Sequence, residues 1–370
     1  MNKIARSSLA TRVGSTSVFV GTILGTIIMI GTMLSLDLFL ARVDSTESAN
    51  HAASEYASGV QLLQEGRAGD AADRFGAAVA INRSNVDYAL ALGEAQLDDG
   101  RTDEAEATIK ALLERAGNDG AVNLTMAHVL EREGRVQEAK AYFHRAIFGR
   151  WGADSIAQRR RTRFELIDLL AKHGGGAELL AELLPFEETP VDSVALRRRL
   201  GHLYNLAGSP ARAANMFREV LRRDPSDADA YAGMGDAALA LGNFKTARAD
   251  LEAASRLNPG NTQLAQRLAV ADTAAQLDPT ARGIEAADRY ARSRALLIRT
   301  LGAVAACGLA SPLVDSTTAL LGRPSNAKKS DAAGDALLSR ATELWAARPA
   351  RCNSAARDEV LRLLQSRLAQ

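Results

Sequence analysis

Residues 195–260 decide the fold of this chain. They read ALRRRLGHLYNLAGSPARAANMFREVLRRDPSD and then, without a break, ADAYAGMGDAALALGNFKTARADLEAASRLNPG. The two halves coincide when one is shifted by 34 residues, and the coinciding positions are small or helix-ending residues: Gly201 with Gly235, Gly208 with Gly242, Ala213 with Ala247 and Pro225 with Pro259. A fixed period of 34 with two helix-length patterns in each unit is typical of a solenoid of helical hairpins.

The coinciding residues have mechanical reasons in such a hairpin. Gly201 lies where the first helix presses against the second, and a larger side chain there would hold the two backbones apart. Gly208 closes the first helix, where a positive φ costs glycine least. Pro225 ends the second helix because proline disfavours the helical conformation of the residue before it. These residues resemble the tetratricopeptide repeat (TPR) family, and the resemblance implies stacked hairpins with a concave groove that binds other proteins.

Three further units lie upstream in one common phase. They begin near residues 52, 86 and 120, and each keeps the glycine that closes the first helix: Gly66, Gly100 and Gly134. Between the third unit and the strong pair, the phase slips by six residues. An insert that includes residues 151–158 precedes a degenerate unit, whose helices we expect at Arg160–Lys172 and Ala177–Leu184. We therefore expect six hairpins, which exceeds the roughly three that a stacked array needs for stability.

After Pro259 the repeat pattern ends. Thr262–Leu277 is expected to be a solitary helix that caps the last hydrophobic face. Three more amphipathic segments follow, at Ile284–Leu309, Ala332–Ala347 and Ala355–Leu368. We expect residues 311–330, which are rich in Ser, Thr, Gly, Pro and Lys, to form a flexible connector.

The N-terminal region contains an uncharged, apolar run at Val18–Leu36. At 1.5 Å per residue, this run nearly spans a hydrocarbon core of about 30 Å. A cleaved signal peptide is the alternative, but the run exceeds the usual length of a signal's apolar region and no clean A-x-A site follows. We therefore expect a retained transmembrane helix that contacts the lipid bilayer.

The charges around this run predict its orientation. Lys3, Arg6 and Arg12 precede it without an acidic residue, whereas Asp37, Arg42, Asp44 and Glu47 follow it. The positive-inside rule then places the N-terminus in the cytoplasm of a bacterium and the bulk of the chain in the periplasm, as a single-pass inner-membrane protein. The glycines at 21 and 25 form a GxxxG pair that could make a homodimer face, although glycine is common in spanning helices generally.

The predicted fold class is all-α: an N-terminal single transmembrane helix, a right-handed TPR α-solenoid of about six helical hairpins, and a C-terminal helical segment. The expected domains follow in chain order: 1–17 cytoplasmic tail, 18–40 transmembrane helix, 41–51 linker, 52–153 repeats 1–3, 154–193 insert and divergent repeat, 194–261 repeats 5–6, 262–277 capping helix and 278–370 C-terminal helical domain.

The sequence offers no catalytic, cofactor or metal motif. Its five histidines lie singly, without an HExxH or CxxC companion, and no GxSxG is present. The run at 322–330 imitates a phosphate-binding loop but lacks the second glycine. A net charge of +1 argues against nucleic acid as a partner, because such binders usually show a strong basic excess. We expect no enzyme, no cofactor and no nucleic acid.

Binding through the groove is therefore the expected function. The TPR resemblance implies that certain positions of each first helix face a ligand, and carried onto this sequence they are Arg161, Phe164, Asp168, Arg198, His202, Asn205 and Asp236. Arg198 with Asn205 has the chemistry to clamp a terminal carboxylate. A merely solvated polar face is the alternative, because neighbouring units supply few matching basic residues.

These observations favour a membrane-anchored scaffold or assembly factor that binds a protein partner, as a peptide or C-terminal segment in the groove. The alternative is a component of envelope biogenesis that holds a polysaccharide or lipid-linked substrate, which aromatic groove residues would favour; only Tyr56 and Phe164 qualify. In an oxidising periplasm, the two cysteines, Cys307 and Cys352, are candidates for a disulfide. Two buried free thiols are the competing interpretation.

Overall fold

The structure is a computed structural model. It describes residues 10–187, 193–308, 311–322, 330–349, 352 and 357–369, with side chains from residue 21 onward. The described residues are helical, with a single isolated β-bridge between Asp119 and Arg150 and no strand. The predicted all-α class is therefore confirmed. Two compact units are present, Met1–Leu166 and Ile167–Gln370.

The first unit consists of helical hairpins. Its helices are α1 (Ala10–Gln64), α2 (Ala68–Ile81), α3 (Val86–Asp98), α4 (Thr102–Ala116), α5 (Gly120–Arg132), α6 (Val136–Phe148) and the first part of α7 (Ser155–His173). The glycine that closes the first helix of each hairpin has a positive φ: +75° at Gly66, +82° at Gly100 and +75° at Gly134. This left-handed conformation suits glycine and reverses the chain within three residues.

Helix α1 differs from the expectation for the N-terminal region. It runs without a break through residues 41–51, where we expected a linker, and its last part is the first helix of the first hairpin. The buried residues Ala71, Ala72 and Phe75 of α2 form a core with Ala91 and Ala95 of α3, and Tyr56 and Val60 of α1 pack against it. The apolar N-terminal helix and the first repeat are thus one continuous element.

The second unit contains the remaining hairpins and a helical bundle. After α7 come α8 (Gly176–Leu183) with a short 3₁₀ turn, α9 (Val194–Leu206), α10 (Pro210–Arg223), α11 (Ala228–Ala240) and α12 (Phe244–Leu257). Helix α13 (Thr262–Leu277) has the range expected of the solitary helix. It is followed by α14 (Ala286–Ala305), α15 (Pro312–Gly322), α16 (Asp331–Ala346) and α17 (Glu359–Leu368).

The hairpins interlock through small residues. A Cβ added to Gly201 in α9 would lie 2.7 Å from the Phe217 ring, and one added to Gly235 in α11 would lie 2.6 Å from Leu251 Cγ. The same relation joins Gly59 to Phe75 in the first unit. The large side chain of each second helix therefore packs directly on the backbone of the first helix, as the sequence pattern predicts.

The last hairpin continues into the C-terminal bundle through one hydrophobic core. Leu251 of α12 and Ala271 of α13 belong to the same buried cluster as Leu297 of α14, Leu344 of α16 and Leu361 of α17. Two expectations for this region were wrong. Residues 312–322 form helix α15 where we expected a flexible connector, and α14 ends at Ala305 instead of Leu309. Leu309 itself, Ala355 and residues 323–329 of the predicted connector lie outside the described residues.

Candidate protein-binding groove

A shallow hollow opens on the first helices of the second unit. It has a volume of about 410 Å³ and lies between α9 and the start of α11. Apolar and charged side chains together line it: Ala195, Arg198, Arg199, His202, Leu203, Leu206 and Asp229. We call this feature the α9 hollow. Two predicted groove residues, Arg198 and His202, therefore do line one surface.

Arg198 is already bound within the fold. Its Nη1 donates to Asp227 Oδ2 at 2.9 Å, and its Nε lies 3.6 Å from Asp229 Oδ2. Asp227 is the N-cap of α11: its Oδ1 accepts from the Ala230 N–H at 2.8 Å, and its side chain is only 4 % exposed. A nearly buried carboxylate needs such partners. The expected role of Arg198 as a free carboxylate clamp is therefore not what this geometry supports.

Asn205 and His202 also contact the next hairpin. Asn205 Nδ2 donates to the carbonyl oxygen of Gly233 at 2.9 Å, and Asn205 Oδ1 is buried without a hydrogen bond from any described residue. His202 Nε2 lies 2.8 Å from Asp229 Oδ2, and its ring meets the Phe217 ring edge-on at 4.9 Å between centroids. Arg198 and Asn205, the predicted clamp pair, thus both link α9 to the hairpin that contains α11.

The two predicted aspartates have the same kind of partner. Asp168 of α7 accepts from Arg199 of α9, and Asp236 of α11 accepts from Arg267 of α13, with Arg267 Nε 2.8 Å from Asp236 Oδ1. Each link joins residues 31 positions apart, which is the first helix of one unit to the first helix of the next. Polar groove residues therefore link successive hairpins through hydrogen-bonded ion pairs.

Sequence reasoning did not select Asp227, Arg199 or Arg267 as site residues. One signal could have found them: the repeat length places residues about 30 positions apart on neighbouring first helices, so an acid about 30 positions from an arginine predicts a pair. The Arg198–Asp227 spacing of 29 fits that rule. Leu206 was also missed, and it is 55 % exposed at the hollow.

In the first unit, side chains of successive first helices are linked in the same way. His128 Nε2 of α5 lies 2.7 Å from Glu165 Oε2 of α7, and Thr125 Oγ1 lies 3.2 Å from Glu94 Oε1 of α3. The predicted groove residue Arg161 is exposed on α7, and Phe164 is half-buried.

Tyr56 packs in an aromatic cluster with Phe75 and Tyr88, at centroid distances of 5.3 and 5.0 Å.

The C-terminal bundle has two cross-links of its own. Cys307 and Cys352 are joined as a disulfide, with their Cα atoms 5.2 Å apart. Arg299 of α14 donates to Asp358, the N-cap of α17, from Nε at 2.6 Å and from Nη2 at 2.9 Å. Among the described residues, no group of three or more His, Cys, Asp or Glu could hold a metal ion.

The N-terminal helix is long and apolar enough to cross a membrane. Its most apolar window within 21–64 has a mean hydropathy of 2.1, and every side chain from residue 21 to residue 51 is exposed. A signal sequence passes the same test of length and composition. One candidate span or signal is therefore present in the described part of the chain.

Comparison with known proteins supports the repeat pattern. The family model for the tetratricopeptide repeat matches residues 62–129 and 205–271. The chain is similar to the solved structure of YrrB, a TPR protein with an unusual peptide-binding site, at 20 % identity over 53 % of this chain and 97 % of that one, with a TM-score of 0.43. A search of curated proteins found no match.

Two further solved structures show a similar likeness. A TPR protein from Parabacteroides merdae is 14 % identical over 79 % of this chain and 99 % of its own, with a TM-score of 0.42. The C-terminal part of a TPR repeat-containing protein from Cytophaga hutchinsonii is 14 % identical over 66 % of this chain and 94 % of its own, with a TM-score of 0.46. The family model and the interlocked hairpins together show that the chain carries tetratricopeptide repeats, in residues 62–129 and again in residues 205–271.

Proposed function

We propose that this protein is a membrane-anchored scaffold or assembly factor that binds a protein partner on the periplasmic face of a bacterial inner membrane. The observation that carries the binding part is the α9 hollow, where an apolar side chain is open to solvent. Leu206 is 55 % exposed there, beside Leu203 and Ala195. A partner that covers Leu206 would remove this apolar area from water, which favours binding.

The charged residues of the hollow indicate the kind of partner. Arg198, Arg199 and His202 are paired with Asp227, Asp168 and Asp229, respectively, so the charge of the lining is locally balanced. Protein interfaces combine apolar area with polar and charged groups. The hollow therefore fits a large apolar side chain of a peptide or helix, with main-chain or polar groups beside the charged residues, better than it fits a free terminal carboxylate.

The anchor part of the proposal rests on charge and continuity. The apolar run at 18–36 has only basic charged residues before it and mostly acidic ones after it, which favours export of the C-terminal side. Helix α1 continues from this run into the first repeat without a break. At 1.5 Å per residue, the helix between residues 36 and 52 holds the first buried position about 24 Å beyond the end of the apolar run.

Site-specific photo-crosslinking tests the proposed partner surface. A photoreactive residue is placed at Leu206 in the full chain, in its native membrane, and the matched control carries it at the exposed Lys245. We expect a discrete crosslinked product with another protein at 206 and none at 245. Equal products at both positions, or none at 206, would contradict the α9 hollow as the binding surface.

A further inference from the structure

Two large apolar side chains of the first unit are far more exposed than the rest of its repeats. Phe148, the last residue of α6, is 74 % exposed, and Ile156, in the first turn of α7, is 82 % exposed. Phe148 precedes the insert at which the repeat phase slips, and Ile156 lies within it. Neither residue lies in the α9 hollow, so a role for them does not depend on the proposed function of that hollow.

The backbone that carries these two side chains is held in place. Trp151 Nε1 donates to the carbonyl oxygen of Ala146 at 2.8 Å, and the Trp151 ring covers Gly120, where no Cβ could fit. Gly120 N donates to Arg150 O at 2.7 Å, and Arg150 N donates to Asn118 O at 2.8 Å. The insert is therefore pinned to the start of α5.

A side-chain hydrogen bond links the two segments that carry these apolar residues. Arg159 Nη2 donates to the carbonyl oxygen of Gly149 at 3.0 Å. Gly149 follows Phe148, and Arg159 lies one helical turn after Ile156, so this bond fastens the end of α6 to the first turns of α7. Arg160 follows Ile156 by four residues and therefore shares its helix face. We call Phe148, Ile156, Arg159 and Arg160 the insert surface.

The segment that contains the insert surface carries an excess of positive charge. Residues 148–163 contain five arginines and one acidic residue, Asp154. Arg160 is exposed, and no hydrogen bond or ion pair engages it among the described residues. The arginines elsewhere on the repeats are mostly paired with carboxylates, as Arg135 is with Glu106, Glu133 and Glu138. The insert surface thus presents unbalanced positive charge beside two exposed apolar groups.

We propose that the insert surface is a second docking site, for a protein segment that places large apolar side chains within a run of acidic residues. Every basic group from 148 to 163 is an arginine, and no lysine is present. A guanidinium pairs bidentately with a carboxylate, and arginine is enriched with aromatic residues at the energetic centres of protein interfaces. The fixed backbone limits the entropy lost when such a segment binds.

A selection of displayed random peptides tests this proposal on the full chain purified in detergent. Peptides are selected on the wild-type protein after depletion on the Ile156→Ser/Arg160→Glu variant. The matched control, Leu257→Ser/Lys245→Glu, removes one exposed apolar side chain and reverses one exposed positive charge elsewhere. All the changed side chains are exposed, so thermal unfolding of both variants should match the wild type.

We expect the selected peptides to be rich in Asp, Glu and large apolar residues. Their affinity should fall at least tenfold in the Ile156→Ser/Arg160→Glu variant and in Phe148→Ser, stay unchanged in the control, and weaken as salt is added. Selected peptides without that composition, or equal loss in the control, would overturn the proposal. So would binding of vesicles of phosphatidylglycerol and phosphatidylcholine that the same variant abolishes while peptide affinity is kept, because the surface would then contact a membrane.

Discussion

At the scale of the residue, the groove side chains have a structural role, because they link neighbouring hairpins. Arg198 neutralises Asp227, which caps α11, and Asn205 donates to the backbone of the same helix. Asp236 and Asp168 are likewise paired with arginines of the neighbouring first helix. Substitutions at these positions therefore change stability as well as any binding.

Replacing Arg198 by Glu should destabilise the second unit. The substitution places a third carboxylate beside Asp227 and Asp229 and leaves the nearly buried Asp227 without its cation. Because Arg198 is 39 % exposed, we expect a loss of about 2 kcal/mol, smaller than that of a fully buried pair. Urea unfolding followed by circular dichroism measures it. Lys245→Glu is the control, and equal stability of the two variants would show that the Arg198–Asp227 pair carries little energy.

Asp358 should make the C-terminal bundle sensitive to acid. Burial raises the pKa of Asp358, but hydrogen bonds from Arg299 and from the Leu361 N–H lower it by more, so its pKa lies below the ordinary value. A depressed carboxylate pKa adds stability above the unfolded pKa of about 3.9, and that stability is lost as the pH falls through the folded pKa.

We expect Asp358→Asn to flatten this pH dependence below about pH 4, in unfolding curves measured across the acid range. The exposed Asp335 provides the control, because Asp335→Asn should keep the wild-type profile. If both variants kept the wild-type profile, the contribution of Asp358 would be refuted.

At the scale of the element, close helix packing depends on glycines at particular faces. The Phe217 ring of α10 lies between Gly201 of α9 and Gly233 of α11, and a Cβ on either glycine would overlap the ring. Gly76 in α2 is different, because a Cβ there would have nothing within 4 Å. Both Gly233 and Gly76 lie inside helices, so the comparison isolates packing from helix propensity.

The two alanine substitutions should have opposite signs. Gly76→Ala is expected to stabilise the protein by up to about 1 kcal/mol, the usual gain in a helix interior. Gly233→Ala gains the same backbone term but must displace the ring, so we expect a net loss of about 2 kcal/mol. Chemical unfolding of both variants measures the difference. A stabilising Gly233→Ala would show that the Phe217 ring can move aside freely.

The bond between Cys307 and Cys352 should stabilise the C-terminal bundle. It closes a loop with a sequence separation of 45, for which the chain-entropy model gives about 4 kcal/mol before any strain. Protein denatured without reductant should therefore show no reactive thiols, and Cys307→Ser/Cys352→Ser should unfold at lower urea. Two labelled thiols per chain in material from the periplasm would refute the bridge and weaken the case for export.

At the scale of the whole molecule, helix α1 links the proposed anchor to the repeats. Because α1 is continuous through residues 41–51, the direction of its apolar part in a membrane also fixes the direction in which the first hairpin points. A flexible linker would have left the first hairpin free to turn. The rigid connection makes topology the property on which the proposed function depends most.

A reporter that is active only in the periplasm, fused after Gln370, should be active. The reason is the excess of Lys3, Arg6 and Arg12 before the apolar run. Reversing these three charges to Glu should lower the reporter's activity, and a reporter active only in the cytoplasm gives the complementary measurement. Activity of the cytoplasmic reporter alone, in the unmodified chain, would overturn the orientation.

The sequence by itself determined the repeats. The 34-residue period, the glycines that close the first helices and the prolines that end the second helices predict hairpins, because each of these signals acts within a few residues of backbone. Gly208 and Gly242 have the positive φ expected of them, at 71° and 70°. The small residues that face large ones, such as Gly201 and Phe217, also follow from the period alone.

Only the tertiary structure decided which groove residues are available to a partner. Whether Arg198 can clamp a carboxylate depends on Asp227, which lies in another hairpin and reaches it only after the hairpins stack. The exposed Phe148 and Ile156 likewise depend on how Trp151 pins the insert to Gly120. Local backbone preferences set the helices, but the pairing of side chains is set by distance in space, which stacking alone determines.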